Sequence, residues 1–210
     1  MNDMNERFRE WGVIENVEES VRLEKAQELR GSIYNWSHLY PAIFKTIGLP
    51  RGRVLDVGSY CERFARFLYR LGVPLEVIPQ YVVSLDIREL NTKAINLVRG
   101  TGKHLPFRDG SFHSVISLGS LPMFCTPNVP EDAVLKEMLR VASDKVIICP
   151  VSSDLERRVQ KLSNIPWMYN EEGLCIAKAQ IIQLQDSSFQ ALVLTKTPKI
   201  YLGHDTSRTV

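Results

Sequence analysis

The sequence RVLDVGSYCE, residues 53–62, decides how the chain folds. Val54, Leu55 and Val57 are branched or apolar residues in close succession, which suits a buried strand. Asp56 interrupts them, and a carboxylate in a strand core is costly unless something pairs with it. Gly58 follows at once, where the strand must turn sharply and leave backbone exposed. Beyond it Phe64, Phe67, Leu68 and Leu71 recur at helical spacing, with Arg63, Arg66 and Arg70 between them. A buried strand therefore runs through a glycine turn into a helix. That arrangement sets helix amides beside a strand end, a common place for a nucleotide-like ligand.

A second element of the same kind follows in YVVSLDIRE, residues 81–89, an apolar strand ending in Asp86. A carboxylate at the tip of a second strand can accept both hydroxyls of a ribose. The interval from the first strand exceeds the roughly 20 residues of a dinucleotide fingerprint. The excess falls in VPLEVIPQ, residues 73–80, a proline-bearing insert. A nicotinamide-dependent oxidoreductase fits poorly, because its pattern needs glycines at Tyr60 and Arg63.

Outward from these two elements, strands and helices alternate. Residues 95–98 read as a short third strand. Arg108, Asp109, Gly110 and Ser111 signal a turn before a fourth, built on Phe112, Val115, Ile116 and Leu118 and ending at Gly119. Residues 131–143 form an amphipathic helix with Val134, Leu135, Met138, Leu139 and Ala142 on one face. Residues 145–149 are a fifth strand stopped by Pro150. A charged helix over 154–164 is capped by Ser152 or Ser153. Residues 180–185 and 189–196 pair as a hairpin across Asp186, Ser187 and Ser188. The pattern predicts a mostly parallel α/β sheet with an antiparallel C-terminal hairpin and helices on both faces.

Ahead of the sheet, residues 1–31 read as a charged helix with Val13, Ile14, Val17 and Val21 as a partial apolar stripe. It is either an accessory lid or oligomer contact, which would allow a homodimer, or a solvated helix packed on one side. In residues 32–47, Ser37 can cap a helix that carries Pro41 in its first turn and stops at Gly48 and Pro50. Tyr34, Trp36, His38 and Tyr40 either line a substrate pocket or pack that helix onto the domain, the commoner fate. The organisation expected is an N-terminal helical segment over residues 1–50, one domain over 51–200 and a tail over 201–210.

Composition narrows the function. With 210 residues, 44% hydrophobic and 24% charged, the chain is sized for one domain with a sizeable core. A net charge of +2, without a long basic run, gives no electrostatic footprint for nucleic acid and weakly favours a small-molecule partner. No apolar run approaches the roughly 18 residues of a membrane span, and MNDMNERFRE lacks a signal core, so a cytoplasmic protein without a membrane partner is expected. Cys61, Cys125, Cys149 and Cys175 are dispersed and suit reduced thiols. The histidines and cysteines show no metal-ligand spacing.

Taken in order, VLDVG, LDIRE, HLPFRDGSF and VLKEMLRVASDKVIICP resemble the class I S-adenosylmethionine-dependent methyltransferases, and most closely the small-molecule branch that carries LPF-x-x-x-SFD. The resemblance spans residues 53–150. It implies a Rossmann-like seven-stranded sheet, the seventh strand antiparallel between the fifth and sixth, with S-adenosyl-L-methionine over the carboxyl ends of the first strands. It implies that Asp56, Gly58, Ser59 and Tyr60 border the methionine end. Asp86 would hold the ribose hydroxyls, with Ile87 beside the adenine. Thr101 and Gly102 would meet the adenine edge, and Leu118 and Gly119 the floor near the methyl.

The chain departs from the family at four positions. Tyr60 and Glu62 replace the second and third glycines of G-x-G-x-G, and Glu62 brings negative charge toward the cofactor's carboxylate. Thr101 stands where an acidic residue is common, and His113 follows Ser-Phe in place of Asp. Methyl transfer asks mainly for alignment of a nucleophile, with a base for some acceptors. His104, His113 and His38 are the candidate bases, each with a plain structural alternative. Two functions therefore stand: methyl transfer to a small acceptor, and a non-catalytic methyltransferase-like binding or scaffold protein. A nucleic-acid methyltransferase is disfavoured, since GSLPMF follows the fourth strand instead of Asp/Asn-Pro-Pro-aromatic. The acceptor itself is not readable from residues 1–47 or 125–129.

Overall fold

The computed structural model describes residues 39–60, 62–87, 96–121, 130–161, 177–184 and 189–197. The expected N-terminal helix, Tyr34, Trp36, Ser37, His38, Cys61, Cys125, Cys175, residues 125–129, the 186–188 turn and the tail lie outside these residues.

The elements run α1 (Leu39–Ile47), β1 (Val54–Val57), α2 (Arg63–Arg70), α3 (Ile78–Tyr81), β2 (Val82–Asp86), β3 (Leu97–Arg99) and β4 (Phe112–Leu118). Then come α4 (Glu131–Val141), β5 (Ala142–Cys149), α5 (Ser153–Gln160), β6 (Ala177–Gln183) and β7 (Gln190–Lys196). The strands form one seven-stranded sheet in the order β3-β2-β1-β4-β5-β7-β6. Pairs from β3 through β5 are parallel, and β7 runs antiparallel between β5 and β6. The mostly parallel sheet and its antiparallel hairpin are as expected.

Each strand face packs its own core. Val54, Val82, Ile116 and Ile147 point to the side that carries α1, α2 and α3. Leu55, Val57, Val83, Leu85, Val115, Val146 and Ile148 point to the side that carries α4 and α5. A central parallel strand is thus buried on both faces, which is why β1 is apolar except at Asp56. On the first side Tyr40, Phe44, Phe64 and Phe67 form an aromatic cluster, with Tyr40 5.4 Å from Phe67 and Phe44 5.3 Å from Phe64. Each ring removed from water there contributes roughly 1.5–3 kcal/mol. Tyr40 therefore joins α1 to α2 by packing.

Several boundaries differ from expectation: β3 runs Leu97–Arg99 against an expected 95–98, and β6 runs Ala177–Gln183 against an expected 180–185. The amphipathic helix ends at Val141, and Ala142 opens β5 as the register partner of Phe112. Ala142 is apolar at helical spacing, and its burial comes from the strand. The charged helix stops at Gln160, and Ser152 caps it by accepting from the Leu155 N–H at 3.1 Å. Lys196 of β7 donates to the Leu139 and Ala142 carbonyls at 3.2 and 2.9 Å, closing the C-terminus of α4.

Candidate functional site

The order β3-β2-β1-β4-β5 reverses direction between β1 and β4, and ligands of open α/β sheets bind at the carboxyl ends beside such a point. Here those ends are laced together. The Gly58 and Ser59 amides donate to Leu85 O at 2.8 and 3.1 Å. The Tyr60 amide donates to Asp86 Oδ2 at 2.8 Å. Ser120 Oγ donates to Val57 O at 2.8 Å, spanning β4 and β1, and exchanges a 2.8 Å bond with Ser117. The Gly119 amide donates to Cys149 O, and the Gly100 amide to Asp86 O. The carboxyl ends of the central strands thereby hold one another in place.

The loop after β1 keeps a glycine-type backbone without the glycines. Gly58, Tyr60 and Glu62 have φ of 75°, 52° and 55°. A side chain in the left-handed region costs roughly 1–2 kcal/mol, so Tyr60 and Glu62 sit there against their own preference. Strain of this kind persists only where surrounding contacts over-determine it. Tyr60 has its bond to Asp86, and its half-exposed ring lies under the Arg63 guanidinium at 4.6 Å. Glu62 is 1% exposed, and its Oε1 accepts from the Asn96 amide at 2.9 Å. The charge expected beside the ligand's carboxylate is therefore turned inward, against the start of β3.

Beneath the loop lie two buried polar atoms with no partner among the described residues, Asp56 Oδ2 and Ser59 Oγ. Asp56 is 1% exposed. It lies on the strand face of Val54, toward α1 and α2, and its carboxyl also accepts from the Phe64 amide. Burial, opposed by the Phe64 amide and by Arg63 and assisted by Asp86 and Glu62, pushes its pKa from 3.8 up to about 7. Burial first, then Asp56, pushes the Tyr40 phenol well above its usual range. An unpartnered acceptor near the end of the strand and an unpartnered hydroxyl in the loop that follows are what a ligand with polar donors and acceptors would satisfy.

The remaining candidates divide. Asp86 is buried at the tip of β2, and Ile87 beyond it is 52% exposed. Leu118 is buried in the core at the end of β4, and Gly119 turns with φ 75°. Thr101 is exposed in a tight turn bridged to His104, which is also exposed. Gly102 is packed: a Cβ there would meet Val134 Cγ1 at 3.0 Å. His113 lies at the amino end of β4, away from the Leu118 end, with Nε2 3.4 Å from Asp144 and Gly52 against its side chain. The fold thus gathers Asp56, Gly58, Ser59, Tyr60, Asp86, Leu118 and Gly119 at one edge and sets His113 at the other. Among the described residues no His, Cys, Asp and Glu cluster could hold a metal, and no helix is long and apolar enough to cross a membrane.

Sequence reading missed the fastening of residues 105–110. Glu137 Oε2 accepts from the Leu105 amide at 2.9 Å. Arg140 donates to Leu105 O at 3.0 Å, Phe107 O at 2.8 Å and Asp109 Oδ1 at 2.8 Å, and its Nε donates to Glu137 at 2.6 Å. These bonds hold the Glu137 carboxyl below its ordinary range. The signal was two opposite charges three residues apart on α4, which also fits an exposed helix face.

No protein-family model matches the chain, and no curated protein matches it. Solved structures do. One is a candidate S-adenosyl-L-methionine-dependent methyltransferase from Methanococcus maripaludis, 16% identical, with a TM-score of 0.54 over 80% of this chain and 87% of that one. Another is the 1,6-didemethyltoxoflavin N1-methyltransferase of Burkholderia thailandensis, crystallised with its acceptor and S-adenosylhomocysteine. It is 15% identical, with a TM-score of 0.50 over 88% and 89% of the two chains. Together with the strand order, these likenesses show that the chain has the Rossmann-like class I methyltransferase fold.

Proposed function

We propose that the carboxyl edge of the sheet binds S-adenosyl-L-methionine and that the protein transfers its methyl group to a small-molecule acceptor. The observation that carries this reading is the loop after β1. It holds left-handed backbone at Gly58, Tyr60 and Glu62, and its Ser59 Oγ and the neighbouring Asp56 Oδ2 have no partner among the described residues. The residues present fit the ligand's chemistry. Asp56 offers an acceptor to an ammonium group, and Ser59 a hydroxyl that can donate. Asp86 carries two oxygens, enough to serve a ribose while accepting from Tyr60. Ile87 and Thr101 would flank the adenine, with Gly102 packed behind them, and Leu118 and Gly119 would form the floor. When bound, the sulfonium supplies an already electrophilic methyl group, so the chain's own task is to bind, align and exclude water. A small acceptor agrees with the low net charge and with the toxoflavin precursor named for the Burkholderia protein.

The test is calorimetry with S-adenosylmethionine and S-adenosylhomocysteine on the wild type and Asp86→Ala. Micromolar binding is expected, weakened in Asp86→Ala by roughly 1.5–3 kcal/mol through loss of charge-assisted hydrogen bonds. No binding at millimolar ligand would overturn the proposal and favour the non-catalytic scaffold reading.

A further inference from the structure

Glu62 occupies a position where a glycine would leave nothing behind. Its side chain is nonetheless fully inside, and it reaches from the N-cap of α2 to the backbone of Asn96 at 2.9 Å. Asn96 is itself a junction. Its Nδ2 donates to Pro79 O of α3 and to Val82 O of β2, both at 3.0 Å, and its carbonyl accepts from the Ser84 amide at 2.9 Å. The strand that begins beside it, β3, has three residues, lies at the sheet edge and is only partly buried. Residues 100–102, which the cofactor reading sets at the adenine side, follow directly from it. Register with β2 fixes one side of this short strand, at Ser84–Leu97, Leu85–Val98 and Asp86–Arg99. The Glu62 carboxyl adds a tie to the loop that carries Ser59 and Tyr60.

We infer that Glu62 is a positioning residue whose buried carboxyl fastens the loop after β1 to the start of β3, and so sets the methionine side and the adenine side of the cradle at a fixed distance from each other. This rests on the proposed cofactor site. Reach decides which residues can do it. Glycine has no acceptor, and aspartate is one methylene shorter. Glutamine keeps both the length and an acceptor oxygen, and methionine keeps the length without the acceptor. The left-handed backbone at Glu62 is accordingly a cost borne for the side chain, and restoring glycine would ease the backbone while cutting the tie.

The experiment uses the full chain as wild type, Glu62→Gln, Glu62→Met and Glu62→Gly. Hydrogen exchange at the Asn96 amide reads the tie without any ligand, and calorimetry with S-adenosylhomocysteine reads its consequence. Glu62→Gln should keep the amide protected and the affinity within about threefold of wild type. Glu62→Met and Glu62→Gly should each speed exchange at Asn96 and weaken binding by about tenfold or more. Glu62→Met serves as the near-isosteric control should Glu62→Gly fold poorly. Unchanged exchange in both variants would overturn the tie. Faster exchange with undiminished affinity would overturn the positioning role alone. A wild type that binds no S-adenosylhomocysteine would overturn the cofactor reading, leaving the exchange data to judge the tie.

Discussion

Two loops leave the sheet on related errands and are built on opposite plans. The segment of residues 105–110 is paired almost everywhere: Leu105 N, Leu105 O and Phe107 O all meet Glu137 or Arg140 of α4. The loop after β1 carries two left-handed non-glycine residues and the Ser59 hydroxyl, and β1 just before it carries the Asp56 carboxyl pushed up to about 7; Ser59 Oγ and Asp56 Oδ2 have no partner among the described residues. One region spends its polar groups on itself. The other pairs its amides to β2 and leaves Asp56 Oδ2 and Ser59 Oγ without a partner among the described residues. Natural proteins concentrate strain and unmet hydrogen bonds at functional sites and compensate elsewhere. The contrast between these loops therefore supports the proposed site on grounds separate from any relative.

The largest way to break the comparison is Arg140→Ala. It removes donors from the Phe107 and Leu105 carbonyls and from Glu137 together, leaving Leu105 O only the Phe107 amide and Glu137 only the Leu105 amide, and unfolding in urea should show a loss of about 2–3 kcal/mol, moderated by the partial exposure of the guanidinium. Asp56→Asn should do the reverse. A folded-state pKa near 7, above the ordinary 3.8, means the fold favours the protonated form. Its contribution is full below about pH 4 and lost as pH rises through 7. The amide avoids that loss, so the variant should exceed wild type by on the order of 1–3 kcal/mol at about pH 8 and match it near pH 4. It should also bind S-adenosylhomocysteine more weakly. A variant less stable than wild type at the higher pH would show the ionised carboxyl to be paired after all. The smallest effect is expected of Tyr60→Gly. Relief of the left-handed backbone, less the lost contact with Arg63, should leave a gain of about 0.5 kcal/mol in thermal melts.

The sheet was legible because VLDVG and YVVSLD are short apolar runs buried on both faces, and burial of that kind leaves a composition signal. The candidate site was legible as far as Asp56, Gly58 and Asp86, which the fold gathers at the carboxyl edge and whose residue types stand out at a strand end. Glu62 was not, because a carboxylate beside a glycine turn gives no sign of which way it points. Its direction is set by Asn96, far along the chain. Arg140 and Glu137 were hidden for a related reason: on an amphipathic helix a solvated pair and a backbone clamp have the same spacing. Ala142 was misplaced because α4 passes into β5 with no intervening turn to mark the change of period.

The position of β7 has a consequence for the order of assembly. It follows β6 in the chain yet lies between β5 and β6, and the end of α4 is closed by its Lys196. A ribosome that has released the first five strands has delivered a working core with an unsatisfied edge along β5. The earlier-made β6 has no strand to join until β7 arrives. The nascent chain must therefore protect an open strand edge for the time needed to make residues 150–196. Lesions in the last hairpin would then lower the yield of folded protein before they touched the carboxyl edge of the first strands.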